Sequence, residues 1–141
     1  MTERTIDKRH LPDGPWQQEP DHLAWEHAGY ACHLQRHPNL GHLCGYVGLT
    51  SSHPYYQKHY DDIEGIQIHG GLTYSDWQHI PVTGLWVLGF DCGHCFDLAP
   101  YMLTFKEWRS LQQDVYRDIA YVQAETNSLA EQLRAIEQGA S

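Results

Sequence analysis

The sequence predicts one α+β domain, in which an antiparallel sheet of about four strands packs against a long C-terminal helix. Three observations support this fold class. The length of 141 residues is typical of a single domain. Apolar residues make up 41% of the chain, which is enough for a packed core. Strand-like runs occupy the first two thirds of the sequence, and a helical repeat occupies the last part.

Four strand-like stretches predict the sheet. Apolar and polar residues alternate over 23–36 and 43–48, and the turn residues at 37–39 would join these two runs as a hairpin. The stretch 66–74 is typical of a strand interrupted by a glycine pair. The stretch 84–90 is almost wholly apolar, which predicts a buried strand.

The two ends of the strand region have different compositions. Three prolines and several charged residues within 1–22 predict an irregular N-terminal arm, followed by the single domain over 23–138. A Ser-Ser-His-Pro pattern at 51–54 predicts a short helix or a turn. The arm is expected to contribute little to the fold.

The C-terminal region carries the clearest helical period. Its apolar residues, with one threonine among them, recur at alternating steps of four and three: Val115, Ile119, Val122, Thr126, Leu129, Leu133 and Ile136. Gly139 stands where a helix can end, so the pattern predicts a helix over 114–137. The stripe covers only about three heptads, which favours packing against the sheet over a coiled-coil dimer, although a dimer remains an alternative.

Charge and composition restrict the classes of partner. The 9 basic and 18 acidic residues give a net charge of −9, which disfavours general nucleic-acid binding. No apolar run is long enough for a membrane span, and the N-terminus is charged rather than apolar, so we expect a cytoplasmic protein. In that compartment the four cysteines are expected to be reduced, as core residues or metal ligands: Cys32, Cys44, Cys92 and Cys95.

Two motifs contain the main candidate site. His69 lies in IleHisGlyGlyLeuThrTyrSer (68–75), and GlyPheAspCysGlyHisCysPheAsp (89–97) contains Asp91, His94 and Asp97. Each motif follows an apolar run, so the four side chains are expected to meet at one rim of the sheet. His69, His94 and Asp91 would bind zinc or another divalent metal, and Asp91 and Asp97 are the candidate catalytic carboxylates for hydrolysis by a metal-bound water.

These residues also have non-catalytic interpretations. His69 would hydrogen-bond backbone at a strand end, and Asp91 would cap the turn that follows it. The CysxxCys element formed by Cys92 and Cys95 would fill a tight core rather than act in redox chemistry. A second candidate site consists of His53, Tyr60 and Tyr74, whose aromatic surroundings would admit a nucleotide-like small molecule as ligand.

Six short motifs, in order, resemble a family of uncharacterised proteins found mainly in bacteriophages and bacteria. The motifs are CysGlyTyrValGly (44–48), HisPro (53–54), TyrAspAspIle (60–63), HisGlyGlyLeuThrTyrSer (69–75), GlyPheAspCysGlyHis (89–94) and the segment 116–125. The resemblance implies a small intracellular accessory protein, which would act in the host-cell cytoplasm if it is phage-encoded. It implies no established activity.

Two functional hypotheses follow from these observations. The first is a divalent-metal-dependent hydrolase that uses the His/Asp pocket. The alternative is a phage-derived, non-enzymatic inhibitor that binds a host defence protein or sequesters a nucleotide. Both place the important polar groups at the rim of the sheet.

Overall fold

The computed structural model describes residues 2–105 and 114–139, in which six antiparallel strands pack against one long helix. The strands lie side by side in the order β1-β2-β3-β4-β6-β5. The predicted α+β class is confirmed, with six strands rather than about four. Their bounds are β1 Thr2–Arg4, β2 His22–His27, β3 Tyr30–Arg36, β4 Leu43–Leu49, β5 Tyr74–Asp76 and β6 Trp86–Asp91, and helix α1 is Ile119–Gly139.

The stretch predicted as one strand over 23–36 is itself a hairpin. The chain reverses between β2 and β3 at Ala28 and Gly29, whose φ angles are 53° and 87°. Positive φ at both central residues is the geometry of a tight hairpin turn. Alanine rarely takes this conformation, so residue types alone do not predict a turn at this position.

Other element boundaries also differ from the prediction. The stretch 66–74 is mostly irregular, and only Tyr74–Asp76 forms a strand. At 51–54, where a short helix or a turn was predicted, the structure has turns, and a 3₁₀ helix follows at Tyr60–Asp62. Gly70 and Gly71 both have positive φ, and they form a turn shortly before β5 begins.

Helix α1 begins at Ile119, so the prediction of a helix from 114 is wrong at its N-terminal end. The Asp118 carboxylate accepts a hydrogen bond from the backbone N–H of Tyr121 at 2.9 Å, as an N-cap does. Val115 belongs to the apolar stripe but pairs with Asp97 in an isolated bridge and is 50% exposed. No helix in the described ranges is long and apolar enough to cross a membrane.

The two faces of the sheet have different neighbours. Along β4, alternate residues point towards α1, and a Cβ at Gly45 would lie 2.3 Å from the Thr126 hydroxyl oxygen. The main core therefore lies between the sheet and the helix, and includes Leu34, Val47, Leu88, Leu129 and Leu133. The opposite face carries Tyr46 and Val87, which the segment around Ile80 partly covers. We call this second surface the open face.

The N-terminal segment has more structure than an irregular arm. It contributes strand β1, a 3₁₀ helix at Pro15–Gln17, and the buried side chains of Leu11 and Trp16. It also supplies most partners of Arg36, a guanidinium that is 1% exposed. We call the residues of this buried network the Arg36 cluster: Lys8, Glu19, Asp21, Arg36 and Tyr116.

The Arg36 cluster joins the segment before β2 to the start of α1. Arg36 Nε donates to Asp21 Oδ1, and Nη1 donates to the Gly41 carbonyl and the Tyr116 hydroxyl at 2.8 Å each. Glu19 accepts a hydrogen bond from Tyr116 and, through Oε2, from the backbone N–H of Ile119 at 3.1 Å. The buried charges are therefore paired and hydrogen-bonded, as low-dielectric surroundings require.

Candidate functional site

The four residues predicted to converge do lie together. His69, before β5, places Nε2 at 2.6 Å from Asp97 Oδ2, in the loop after β6. The His69 and His94 ring centroids are 6.2 Å apart, and His94 Nε2 lies 3.4 Å from Asp91 Oδ1. The antiparallel pairing of β5 with β6 brings the two motifs to one rim of the sheet.

Within this group, both ring nitrogens of His69 and both carboxylate oxygens of Asp97 already have hydrogen-bond partners in the protein. His69 Nδ1 forms a 2.8 Å hydrogen bond with the Tyr121 hydroxyl, so both ring nitrogens have partners. The Asp97 side chain is only 1% exposed, and its carboxylate also accepts from the His94 backbone N–H at 3.1 Å and from Arg117 Nε at 3.1 Å. This arrangement ties two loops to α1 and leaves no free ligand atom on the His69 ring.

Further contacts attach the loop before β5 to the helix. Glu125 accepts from the His69 backbone N–H at 2.8 Å, and the Gln132 amide makes two hydrogen bonds with the backbone of Gln67. A Cβ at Gly70 would lie 2.3 Å from the His94 ring, so glycine is needed for this close approach.

Asp91 and His94 differ from His69 because they have hydrogen-bonding positions that the protein does not use. The Asp91 carboxylate accepts one hydrogen bond on each oxygen, from the Gly93 backbone at 2.9 Å and from the Thr73 hydroxyl at 3.2 Å. His94 Nε2 is buried and has no hydrogen-bond partner among the described residues. Over the described ranges, no three His, Cys, Asp or Glu side chains are placed to hold a metal ion together.

A cleft of about 340 Å³ lies on the open face beside Asp91. Side chains two residues apart on β4 point to the same face of the sheet. Their paired neighbours on β6 and β5 point to that face as well, and together they form the cleft. The glycine of β6 at position 89 leaves room for the Tyr46 ring. The cleft is lined by His37, Leu40, His42, Cys44, Tyr46, Thr73, Tyr74, Phe90 and Asp91.

His42 is the most unusual side chain of the cleft. It is 7% exposed, and its Nδ1 atom is buried without a hydrogen-bond partner in the described part of the chain. Its ring stacks on His37 with centroids 5.0 Å apart, and a Cβ at Gly93 would lie 2.9 Å from its Nε2. Burial, followed by repulsion from His37, lowers the pKa of His42 to about 4. The imidazole is therefore neutral at neutral pH.

Three other ionisable groups of the cleft are also uncharged at neutral pH. Burial raises the pKa of the Cys44 thiol to about 12 and raises the pKa of the Tyr46 and Tyr74 phenols. Asp91 is the one carboxylate of the lining, and none of the lining residues is lysine or arginine. The cleft therefore combines these uncharged groups with one carboxylate, Asp91, at its edge.

The second set of predicted ligand residues is divided by the structure. Tyr74 lines the cleft, whereas His53 and Tyr60 do not. His53 is 3% exposed and contacts the other side of the sheet, where Nε2 bonds the Leu133 carbonyl at 2.9 Å and Nδ1 accepts from the Tyr55 backbone at 2.9 Å. Tyr60 donates its backbone N–H to Ser75 Oγ at 3.1 Å.

The sequence prediction missed the β4 side of the cleft. Cys44 and Tyr46 lie in β4 and His42 directly precedes it, and this period-two spacing is the signal that could have placed all three on one face with Asp91. The four cysteines are free thiols, and Cys92 is buried whereas Cys95 is exposed. The CysxxCys element therefore forms no disulfide here.

Searches of protein-family models, curated proteins and solved structures found no match to this chain. The resemblance to phage and bacterial proteins stays a prediction. The functional argument accordingly depends on the geometry of the cleft.

Proposed function

We propose that this protein binds a small polar molecule in the open-face cleft and releases it unchanged. The observation that carries the proposal is the unpartnered Nδ1 of His42. A buried polar atom without a hydrogen bond costs about 1–3 kcal/mol. A ligand that bonds this atom removes the penalty, so the site gains more from binding than a cleft whose polar groups are already satisfied.

The size and position of the cleft support a small ligand. Its volume of about 340 Å³ is near the lower end of the roughly 300–1,000 Å³ typical of small-molecule sites. Asp91 and Thr73 stand beside it as further hydrogen-bonding groups. A concave, largely apolar wall with a few polar groups is the usual composition of such a site.

This proposal develops the non-enzymatic hypothesis drawn from the sequence, in which a small intracellular protein sequesters a ligand. The same hypothesis includes a phage origin and a host defence protein as target, and both remain proposals. Ligand capture needs no reactive group, only complementary contacts. The acidic chain and the neutral cleft are compatible with this role.

Metal-dependent hydrolysis is the weaker proposal. A metal ligand needs a free lone pair, and the protein itself occupies both ring nitrogens of His69, one of the three predicted ligands. Metal analysis of untagged protein purified without chelator tests this proposal. Stoichiometric zinc, together with a rise in thermal stability when zinc is added, would restore the hydrolase hypothesis.

Ligand binding can be tested with a defined panel of sugars, amino acids, nucleosides, nucleotides and polyamines. We expect at least one compound to raise the unfolding temperature of the wild-type protein and to be recovered unchanged by mass spectrometry. His42→Leu should abolish this rise, because leucine cannot bond the ligand. His10→Leu is the matched control, since His10 is exposed and does not line the cleft.

Three results would count against this function. A rise that is equal in wild-type and His42→Leu protein would place binding elsewhere. A panel without any effect would remove the support for a ligand of these classes. Conversion of the bound compound to a product would show that the protein is an enzyme rather than a capture protein.

A further inference from the structure

The shape of the cleft wall favours a flat ligand. Four of the nine lining residues bring aromatic rings to the cleft: His37, His42, Tyr46 and Tyr74. Phe90 also borders the cleft, but its ring packs in the main core on the helix side of the sheet. Aromatic walls bind planar rings through stacked or edge-to-face contacts, which add to the burial of apolar surface. A flat heterocycle would use this wall more fully than a flexible chain or a sugar alone.

The charge of the cleft disfavours phosphate. Phosphate sites in proteins use arginine, lysine or clusters of backbone N–H groups, and the lining contains neither lysine nor arginine. Instead, Asp91 presents a carboxylate at the edge, and the whole chain carries −9. A phosphorylated ligand would meet electrostatic repulsion without a lysine or arginine in the lining to compensate it.

The hydrogen-bonding groups of the cleft favour a ligand that offers an amino group beside a ring nitrogen. An ionised carboxylate only accepts, and its two oxygens have about four acceptor positions, of which the protein uses two on Asp91. Neutral His42 can donate through Nδ1. The two groups are neighbours, because Asp91 pairs across the sheet with Cys44, two residues after His42, and both line the cleft.

We infer that the cleft binds an amino-bearing nucleobase, as the free base or the nucleoside, and discriminates against phosphorylated forms. The exocyclic amino group would donate to Asp91, and the adjacent ring nitrogen would accept from His42. This inference rests on the proposed small-ligand function and assigns its ligand class. The sequence suggested a nucleotide as the ligand, and the cleft restricts this class to the base and the nucleoside, which carry no phosphate.

Calorimetric titration with matched ligands tests the assignment. Adenosine and inosine differ mainly in that inosine has an oxo group where adenosine has the amino group, and we expect adenosine to bind at least tenfold more tightly. AMP adds only a phosphate, and we expect it to bind at least tenfold more weakly than adenosine. Cytidine against uridine repeats the amino-to-oxo comparison on a smaller ring.

A variant of the carboxylate supplies the internal control. Asp91→Asn keeps the shape of the side chain but replaces one acceptor with a donor, so it should weaken adenosine binding at least tenfold and reduce the preference over inosine. Asp61→Asn changes an exposed carboxylate outside the cleft and should leave both affinities unchanged. The unfolding temperature of each variant shows whether it is folded.

The outcomes separate this inference from the proposed function. Binding of spermidine, a sugar or an amino acid that His42→Leu abolishes, without nucleoside binding, would overturn the nucleobase assignment and leave the binding function intact. Equal affinity for adenosine and AMP, or for adenosine and inosine, would also overturn it. No binding by any compound of the panel would remove both.

Discussion

The Arg36 cluster and the open-face cleft both place ionisable side chains in the interior, but they differ in how those groups are satisfied. In the cluster, the Arg36 guanidinium bonds carboxylates, carbonyls and a phenol, and it is 1% exposed. In the cleft, the Nδ1 atom of His42 has no partner in the described chain. A saturated buried group stabilises one conformation, whereas an unsaturated one leaves binding energy for another molecule.

The Arg36 cluster also explains why the segment before β2 belongs to the fold. Asp21 holds both Arg36 and Lys8, and Lys8 Nζ additionally donates to the Trp16 carbonyl at 2.6 Å. Glu19 then reaches the first turn of α1 through the Ile119 backbone. Three separate parts of the chain therefore depend on one buried network.

The largest expected effect is the loss of the Arg36 guanidinium. Arg36→Met keeps much of the side-chain volume but leaves Asp21 and Glu19 without their main cation, and removing one member of a buried ion pair costs about 3–5 kcal/mol. Urea unfolding followed by circular dichroism measures the free energy of unfolding. Arg9→Met is the control, because the Arg9 side chain is 90% exposed and its loss should leave stability unchanged. Equal stability of Arg36→Met and wild type would contradict the role given to the cluster.

Much of the fold was predictable because local patterns determine it. The period of α1 from Ile119 to Ile136 and the apolar run of β6 each specify one element. The hairpin at Ala28 was not predictable in this way, because it depends on an uncommon positive φ. The start of α1 has a local signal in its N-cap Asp118, which the longer apolar period obscured, and a carboxylate from Glu19, 100 residues away in sequence, adds to it.

The candidate site was predictable in location but not in its chemistry. Motif order indicated that His69 and the 91–97 loop would meet, and they do. It could not show that Tyr121 and Arg117, both near the start of α1, would form hydrogen bonds with His69 and Asp97. Which lone pair remains free depends on long-range contacts, and sequence spacing contains little information about them.

The pH dependence of stability would sharpen the comparison between the two regions. The pKa of His42 is about 4 in the folded protein against 6.5 for the ordinary side chain. Because the folded value is the lower one, the unfolded chain binds the proton first. Above pH 6.5 this titration does not affect the free energy of unfolding. As the pH falls from 6.5 towards 4, it lowers the free energy of unfolding by about 3 kcal/mol at most.

The comparison of wild-type protein with His42→Leu isolates this titration from those of the other histidines. We expect the stability of His42→Leu relative to wild type to increase as the pH falls through this window, measured as the free energy of unfolding at several pH values. Neighbouring His37 and His94 lower the pKa of His42, and Asp91 and Asp97 raise it. A difference that is independent of pH would mean that His42 is not held neutral by burial.

The smallest expected effect comes from a comparison of two buried histidines that differ in the hydrogen bonding of their ring nitrogens. His53 is 3% exposed and bonded at both ring nitrogens, whereas His42 is 7% exposed and has one buried nitrogen unbonded. His53→Leu should therefore lower the free energy of unfolding by about 1–3 kcal/mol at neutral pH, because it removes two hydrogen bonds. His42→Leu should leave it unchanged or raise it, because leucine removes an unsatisfied polar atom from the interior.

The pair of variants tests whether His42 contributes to binding rather than to folding. If both substitutions destabilise the protein equally, His42 has a structural role, and its unpaired nitrogen is no evidence for a ligand. If only His53→Leu destabilises it, the protein retains a polar group that its fold does not need. In that case His42 does not stabilise the fold but lines a cleft beside Asp91, which supports a role in ligand binding.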